Sequence, residues 1–337
     1  MGTFNQLTKF YSGKKVVVTG GAGFVGSHLV EHLEQLGAEV VVLDNLSKGQ
    51  NLPAKGQFLA ADIGDFKQVS FWLKDTFAVF NLAASVAGVL HNMNHNLDMY
   101  NENILLQTVP VAAASAAGVP HFLQTSTVCV YAPENNAPSE EVWGLIGIPH
   151  QANGGYAEAK RDGERAVAWS DLEHAVIVRP SNIFGPRDYF DEKAHVIPAL
   201  IRRAIEEDGP ELQLYGPPQA TREFIYVDDV AWGMLYALAF GENGEAYNVG
   251  CNNALRPDVL ENVITMEDLA EIILRQTDNW HKTIVVDESI GGGDSIRWAD
   301  ATKLRSLGWQ AKVDLQWGLY ETVEWYFEQR GFDEAEV

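Results

Sequence analysis

Short apolar runs alternate with stretches of helical periodicity along the first half of the chain. The run at 14–19 is followed by a cluster of glycines, and residues 27–36 then carry Leu29, Val30 and Leu33 at helical spacing. A second apolar run occupies 40–43. Strand, turn, helix and strand in this order predict two parallel strands joined by a right-handed crossover.

The same alternation continues and then becomes irregular. Further strands are predicted at 58–61, 78–82, 122–125 and 175–178, with helices at about 101–117 and 156–169. After Pro180, helices are predicted near 197–207, 227–240, 266–276 and 315–329. This order predicts an α/β protein whose doubly wound parallel sheet lies in 1–180 and whose smaller α+β C-terminal lobe lies in 181–337. We expect the chain to cross between these two parts more than once.

Composition narrows the class of protein. The 337 residues carry a formal net charge of −22, and an acidic surface repels nucleic acids and anionic membranes, so neither is an expected partner. No apolar stretch reaches the roughly 18 to 20 residues of a membrane span, and the N-terminus lacks the pattern of a signal peptide. With two cysteines and no histidine spacing typical of a metal site, we expect a cytoplasmic protein without a metal.

Three glycines, Gly20, Gly23 and Gly26, lie between the first predicted strand and the helix after it. Here the first allows a tight turn, the second lets backbone approach a pyrophosphate, and the third lets the helix pack closely. The N–H groups at the helix N-terminus then attract the anion. Asp44 ends the next strand, where it can accept hydrogen bonds from an adenosine ribose, which favours NAD over NADP. The unit predicts a Rossmann-type NAD site; alternatively, Asp44 is a surface residue that caps its strand.

Tyr156 and Lys160 share one face of a predicted helix, one turn apart. An ammonium and a positively charged nicotinamide would both stabilise the phenolate and lower the pKa of the phenol. Tyr156 is therefore the candidate base that accepts a hydroxyl proton as a hydride leaves for NAD⁺, while Lys160 also holds the nicotinamide ribose. Thr127 supplies a hydroxyl for the reacting oxygen, or else only caps its strand.

With these residues in place, the chain resembles the extended short-chain dehydrogenase/reductases, the family of nucleotide-sugar epimerases and dehydratases. The matching motifs are residues 19–26, 44–46, 81–84, 126–127, 130–131, 156 with 160, 179–182, 222–229, 247–250 and 299–309, which span nearly the whole chain. The resemblance implies an NAD cofactor. Candidate cofactor contacts are Gly20, Gly23, Phe24, Val25, Gly26, Asp44, Asn45, Asp62, Ile63, Leu82, Ala83, Ala84, Asn103, Tyr156 and Lys160. For Asp62, a simple turn residue is an equal alternative.

Within the family, Cys129 matches the catalytic cysteine of GDP-fucose synthases and GDP-mannose 3,5-epimerases. His195 begins a segment similar to the one that carries a catalytic histidine in fucose synthases. Those enzymes epimerise carbons next to a 4-keto group, and a thiol with an imidazole can remove and return such protons. Alternatively, Cys129 is a small buried hydrophobe and His195 anchors a loop.

The resemblance also implies how a nucleotide-diphosphate sugar is held. Arg222 matches the arginine that grips the diphosphate, and a guanidinium fork suits that geometry. The candidate substrate contacts are Val86, Thr127, Asn182, Arg187, Arg222 and Arg297, with a solvated surface arginine as an equal alternative for Arg187. The segment 251–262 is expected near the base, whose identity we leave open. Two departures bear on activity: Ala87 replaces a glycine of the family loop, and Val128 with Cys129 replaces the Asp-Glu pair of 4,6-dehydratases.

Together these features predict an NAD-dependent nucleotide-sugar epimerase that oxidises C4 transiently and uses Cys129 and His195 at C3 and/or C5. A simple 4-epimerase using Thr127, Tyr156 and Lys160 is the nearest alternative. A 4-keto-sugar reductase and a non-catalytic dinucleotide-binding protein are more distant. Fucose synthases use NADPH as a net reductant, whereas an acid at 44 favours a redox-neutral reaction with bound NAD. By resemblance we also expect a homodimer that packs through the helices at 101–117 and 156–169.

Overall fold

A seven-stranded parallel sheet forms the centre of the protein. The structure is a computed structural model that describes residues 2–135, 139–252, 261–289 and 295–331. The strands of this sheet are β1 (Lys15–Thr19), β2 (Glu39–Asp44), β3 (Gln57–Ala60), β4 (Ala78–Asn81), β5 (His121–Thr125), β6 (His174–Pro180) and β10 (Ala246–Val249), in the order β10-β6-β5-β4-β1-β2-β3. Every neighbouring pair is parallel. The predicted doubly wound α/β sheet is confirmed.

Helices cover both faces of this sheet. They are α1 (Gly2–Tyr11), α2 (Phe24–Gln35), α3 (Phe66–Trp72), α4 (Val89–Asn94), α5 (Asn96–Ala117), α6 (Gly154–Ala168) and, from later in the chain, α8 (Val227–Phe240). Side chains of β1 alternate between two cores: Val16 and Val18 pack with α2 and α8, whereas Val17 packs with α3, α5 and α6. This alternation is the period of two that a strand buried on both faces requires.

The rest of the chain builds a smaller α+β lobe. Its strands are β7 (Asn182–Phe184), β8 (Glu211–Tyr215), β9 (Thr221–Tyr226), β11 (Val263–Thr265), β12 (Thr283–Asp287) and β13 (Ile296–Arg297). Its helices are α7 (Val196–Glu206), α9 (Met266–Gln276) and α11 (Leu315–Arg330), whereas the short helix α10 (Thr302–Ser306) packs through Leu304 into the core between α8 and the main sheet. The apolar faces of α7, α9 and α11 enclose a core of their own. Strand β9 is the centre of the lobe, since β7, β11 and β13 all pair with it.

Several elements differ from the sequence prediction. Helix α2 begins at Phe24, directly after its N-cap Gly23 and three residues earlier than predicted. Helix α1 was not predicted; it is anchored by Tyr11, whose hydroxyl donates to the carbonyl oxygen of Leu235 at 2.9 Å. Of the segment 251–262 expected near the base, residues 253–260 lie outside the described residues. Among the described helices, none is both long enough and apolar enough to cross a membrane.

Candidate active site

A cleft of about 1130 Å³ lies along the carboxyl edge of the main sheet. Residues that follow β1, β2, β4, β5 and β6 line one side of it, and the smaller lobe lines the other. All five candidate catalytic residues contribute to this lining: Thr127, Cys129, Tyr156, Lys160 and His195. Ligand sites in open α/β sheets lie at this edge, so the topology itself places the site.

The glycine loop has the geometry of a phosphate cradle. Gly20 has a φ of 68°, a left-handed conformation that favours glycine. A Cβ atom on Gly26 would lie 2.2 Å from the carbonyl oxygen of Gly20, so the start of α2 packs directly on the loop. Gly23 caps α2 without any side-chain hydrogen bond. The first N–H groups of α2 are therefore not capped by a side chain and face the cleft beside Phe24 and Val25, as an anion site requires.

Asp44 closes the other side of the dinucleotide site. Its carboxylate is buried at the end of β2 and accepts hydrogen bonds from the backbone N–H groups of Ala22 at 3.1 Å and Leu46 at 2.8 Å. The carboxylate is thus fixed between the glycine loop and Asn45, at the edge of the cleft. A fixed anion here fits the ribose hydroxyls of NAD and opposes a 2′-phosphate.

The remaining candidate cofactor residues divide into two groups. Ile63, Leu82, Ala83 and Ala84 line the cleft. Asp62 and Asn103 do not appear in its lining: Asp62 is exposed and accepts a hydrogen bond from the N–H of Gly64 at 2.9 Å. Asn103 is buried and holds the backbone of Ser85 through hydrogen bonds of 3.0 and 2.9 Å. Asp62 therefore stabilises a turn, and Asn103 supports the loop that lines the cleft.

Lys160 and Tyr156 meet the cleft from α6. The buried ammonium of Lys160 donates to the carbonyl oxygen of Thr125 at 2.8 Å and to Oε1 of Gln107 at 3.1 Å, and lies 5.7 Å from the centre of the Tyr156 ring. Burial lowers the pKa of Lys160 to about 7, against the opposing effect of Glu164. Burial and then the charge of Cys129 raise the pKa of Tyr156. A lowered phenol pKa was expected from the spacing of Tyr156 and Lys160, but burial in the cleft raises the pKa of Tyr156 in the protein without its cofactor.

Thr127 and Cys129 share a tight turn after β5. Residues Val128–Val130 form a short 3-10 helix, and the hydroxyl oxygen of Thr127 accepts a hydrogen bond from the N–H of Cys129 at 3.2 Å. The turn is held in place by a residue that was not predicted from the sequence. Buried Arg161 donates to the carbonyl oxygen of Val130 at 2.6 and 3.0 Å. Its signal is only the spacing of one residue after Lys160, which many helical surfaces share.

Cys129 has a cationic neighbour from the smaller lobe. Nη1 of Arg297 donates to Sγ of Cys129 at 3.4 Å, although the two residues are 168 positions apart. Arg297 is buried, and it stands beside Arg222 in the parallel register of β13 with β9. Both guanidinium groups line the cleft, so two predicted substrate arginines do lie next to each other.

His195 stands at the N-terminus of α7, and its side chain is exposed to the interior of the cleft. Desolvation by the protein atoms around the imidazole lowers the pKa of His195 to about 4. Lys48 lowers the pKa further, and Asp191 opposes it. The imidazole is consequently neutral at pH 7 and is a proton acceptor.

The other predicted substrate contacts are also divided. Val86 and Asn182 line the cleft, and Nδ2 of Asn182 donates to the carbonyl oxygen of Glu223 at 2.8 Å. Arg187 lies outside the lining and pairs with Glu31 at 2.6 Å, so its charge is already engaged. The structure therefore does not bring Arg187 to the cleft.

Lys48 is a cleft residue that the sequence analysis missed. Its ammonium donates to the carbonyl oxygen of Val86 at 3.0 Å, pairs with Asp191 at 3.7 Å and lies 4.9 Å from the centre of the Tyr189 ring. It thus links the loops after β2 and β4 to the segment that leads into α7. The only sequence signal was its position four residues after Asp44.

Comparison with known proteins agrees with this geometry. The model of the NAD dependent epimerase/dehydratase family matches residues 16–250. A probable GDP-L-fucose synthase of Oryza sativa subsp. japonica is 31% identical over 329 residues, covering 94% of this chain and 93% of that relative. The structure of a UDP-glucose 4-epimerase from Thermotoga maritima with UDP-glucose has a TM-score of 0.81 at 29% identity, covering 94% of this chain and 99% of that chain.

A dTDP-glucose 4,6-dehydratase from Streptomyces venezuelae, solved with NAD bound, has a TM-score of 0.79 at 27% identity and covers 96% of this chain and 99% of its own. The family match spans the glycine loop, Asp44, Tyr156 and Lys160, which are the residues that the cleft brings together. This chain belongs to the NAD-dependent epimerase/dehydratase family, and NAD is its cofactor.

Proposed function

We propose that the protein is a nucleotide-sugar epimerase that oxidises C4 transiently and inverts C3 and/or C5 with Cys129 and His195. One observation carries this proposal. Both residues line the same cleft as Tyr156, Lys160 and the glycine loop. A thiol and an imidazole in a cleft that also holds a redox cofactor supply the two proton carriers that epimerisation next to a ketone needs.

The first and last steps use the residues on β5 and α6. The glycine loop, Asp44 and Lys160 would hold NAD, which would supply reversible hydride transfer at C4 of the sugar. Tyr156 takes the proton of the C4 hydroxyl, and Thr127 holds the oxygen from the end of β5. In the proposed complex, the ammonium of Lys160, 5.7 Å from the centre of the phenol ring, and the positive charge of the nicotinamide would together stabilise a phenolate against the burial that raises the pKa of Tyr156.

The middle step uses Cys129 and His195. A ketone at C4 acidifies the hydrogens on C3 and C5. Because the pKa of His195 is about 4, its neutral imidazole is ready to accept one of these protons at pH 7. Cys129 then gives its thiol proton to the opposite face of the carbon. The stereocentre inverts, which leaves a proton on His195 and a thiolate at Cys129. Both residues then return to their starting protonation states by exchange with solvent, so a proton from solvent enters the sugar in each cycle.

The smaller lobe holds the nucleotide-diphosphate sugar in this proposal. Arg222 and Arg297 lie side by side in the strand register and both line the cleft, which suits the two phosphates. Asn182, fixed by its hydrogen bond to Glu223, orients the sugar between these arginines and β5. The Thermotoga neighbour was solved with UDP-glucose, which is a substrate of the same chemical class.

A simple 4-epimerase is the second candidate, because Thr127, Tyr156 and Lys160 suffice for it and a solved neighbour is a UDP-glucose 4-epimerase. In that case Cys129 and His195 have only structural roles. A net 4-keto reduction, as the similarity to fucose synthases suggests, would consume the reduced cofactor. Asp44 favours NAD that stays bound and a reaction without net redox change.

Solvent exchange separates these candidates. The enzyme with bound NAD is incubated in D₂O with GDP-, UDP-, dTDP- and CDP-sugars, and the sugars are followed by proton NMR. Deuterium at C3 or C5, lost in Cys129→Ala and in His195→Ala, is the expected result. A new isomer without deuterium would replace the proposal by 4-epimerisation, and oxidation of added NADH or NADPH would reveal a reductase.

We further propose a homodimer that packs through α5 and α6. On α5 the side chains of Leu97 and Leu105 are 71% and 53% exposed, and exposed apolar residues on a helix commonly mark a protein interface. The division at residue 180, with NAD held by 1–180 and the nucleotide-sugar by 181–337, is likewise our proposal. Light scattering that gives the mass of a monomer would refute the dimer.

A further inference from the structure

The contact between Arg297 and Cys129 joins the two halves of the cleft. Arg297 belongs to β13 of the smaller lobe, whereas Cys129 lies in the turn after β5 of the main sheet. The guanidinium donates directly to the sulfur, with Nη1 3.4 Å from Sγ. Arginine stays charged at every pH at which a protein is folded, so the sulfur faces a permanent cation.

Both partners of this contact are held in place by other groups. Cys129 is fixed by its N–H bond to the hydroxyl oxygen of Thr127. On the other side, the strand that carries Arg297 is continued by Trp298, whose carbonyl oxygen accepts from the N–H of Ser139 at 3.1 Å. The next N–H, of Ala299, donates to Oε2 of buried Glu223 at 3.1 Å. The pair is therefore preorganised, and its geometry does not depend on a mobile surface side chain.

A charged donor stabilises a thiolate more than a thiol, because only the thiolate carries the opposite charge. We propose that Arg297 is a positioning residue for Cys129, whose guanidinium stabilises the thiolate that forms when Cys129 gives up its proton. The role rests on the proposed function, in which Cys129 is the proton donor. This role is distinct from gripping the substrate diphosphate, which neighbouring Arg222 can do without any contact with sulfur.

The guanidinium of Arg297 also weakens the electrostatic effect of Cys129 on Tyr156. Charge on Cys129 raises the pKa of Tyr156, which opposes the use of the phenol as a base. A cation beside the sulfur reduces the negative potential that a Cys129 thiolate exerts at the phenol of Tyr156. Arg297 thus lets a thiolate and a phenolate form in one small cleft during different steps of a single reaction.

The test is the alkylation rate of Cys129 with iodoacetamide in the protein saturated with NAD, followed by mass spectrometry of the Cys129 peptide. Cys251 is buried and is the internal reference. Arg297→Gln is expected to lower the thiolate fraction near neutral pH about tenfold, the effect of one charge-assisted hydrogen bond. Since a more basic thiolate is also more nucleophilic, the rate falls by about threefold. This slowing runs against the easier access that a smaller side chain gives.

Two comparisons separate charge from structure. Arg297→Lys keeps a cation and is expected to restore most of the rate, whereas Arg222→Gln removes the adjacent arginine without changing it. The slowing in Arg297→Gln should disappear and then reverse to an about threefold faster rate at high pH, where every accessible thiol is ionised and the more basic thiolate reacts faster. An unchanged rate in Arg297→Gln, or a slowing that persists at high pH, would overturn the inference.

The alkylation result is independent of the exchange assay: altered alkylation without deuterium exchange would sink the epimerase proposal alone, and exchange with unchanged alkylation would sink only the role of Arg297.

Discussion

Asp188 gives a pH-dependent prediction that follows from burial alone. It follows β7 in the lining of the cleft, and only 6% of its surface is exposed. Oδ1 accepts a hydrogen bond from the N–H of Tyr189 at 2.7 Å, whereas Oδ2 is buried without a hydrogen-bond partner among the described residues. Burial raises the pKa of Asp188 to about 7, and Lys48 only partly offsets it. We therefore expect the carboxyl group to destabilise the fold when it ionises.

The sign and size follow from linkage. Between the unfolded pKa of 3.8 and the folded pKa of about 7, the folded protein holds a proton that the unfolded chain has released. The free energy of unfolding therefore falls as pH rises through this window and stays low above it. For these two values the loss between about pH 5 and pH 8 is roughly 2.6 kcal/mol. In Asp188→Asn this dependence is absent.

Urea unfolding of wild type and Asp188→Asn, each saturated with NAD, measures the effect at both pH values. Between pH 5 and pH 8, the free energy of unfolding of the variant is expected to rise relative to that of the wild type by roughly 1–3 kcal/mol, allowing about one unit of error in a pKa. Asp208→Asn changes an exposed carboxylate and is the matched control. A gain below about 0.5 kcal/mol, or an equal gain in the control, would show that Asp188 is solvated or paired.

Three further substitutions test the cofactor site. Gly26→Ala is expected to lose NAD in equilibrium dialysis, because the new Cβ would lie 2.2 Å from the carbonyl oxygen of Gly20; Gly154→Ala, with an ordinary contact of 3.7 Å, should retain it. Tyr156→Phe is expected to lower turnover by about 10²- to 10⁴-fold while NAD stays bound, and turnover within tenfold of wild type would contradict the role of the phenol. Asp44→Asn should weaken NAD and strengthen NADP, because a carboxylate no longer opposes the 2′-phosphate; calorimetry that finds an unchanged ratio of dissociation constants would exclude this.

The elements that local patterns specify were predicted well. Strand β1 has valines on both faces and is followed by glycines at fixed spacing, so the first strand and helix are encoded within some twenty residues. Helix α1 was missed because its partner is remote: Leu7 and Tyr11 are buried against α8, more than 200 positions along the chain. Nothing in the ten residues of α1 indicates that surface.

The site shows the same limit. Residues tied to a strand end, such as Asp44, lie where the sequence predicted, since the sheet edge fixes them. Arg187 was predicted at the substrate and instead pairs with Glu31, because residue type indicates a charge and not its partner. The contact of Arg297 with Cys129 has no local signal at all. The raised pKa of Tyr156 could not be predicted either, because the depth of the cleft cannot be inferred from the spacing of four residues between Tyr156 and Lys160.

The charge of the chain and the charge of its ligand are reconciled in the cleft. A net charge of −22 would repel a nucleotide-diphosphate sugar at long range. Yet the cleft presents the uncapped N–H groups of α2 and the ammonium of Lys48 on the side of the main sheet, and Arg222 and Arg297 on the side of the smaller lobe. These cations also act on protons, since Lys48 lowers the pKa of His195. A bound diphosphate would neutralise part of this positive potential, so substrate binding would raise the proton affinity of His195 at the moment when the imidazole must accept a proton.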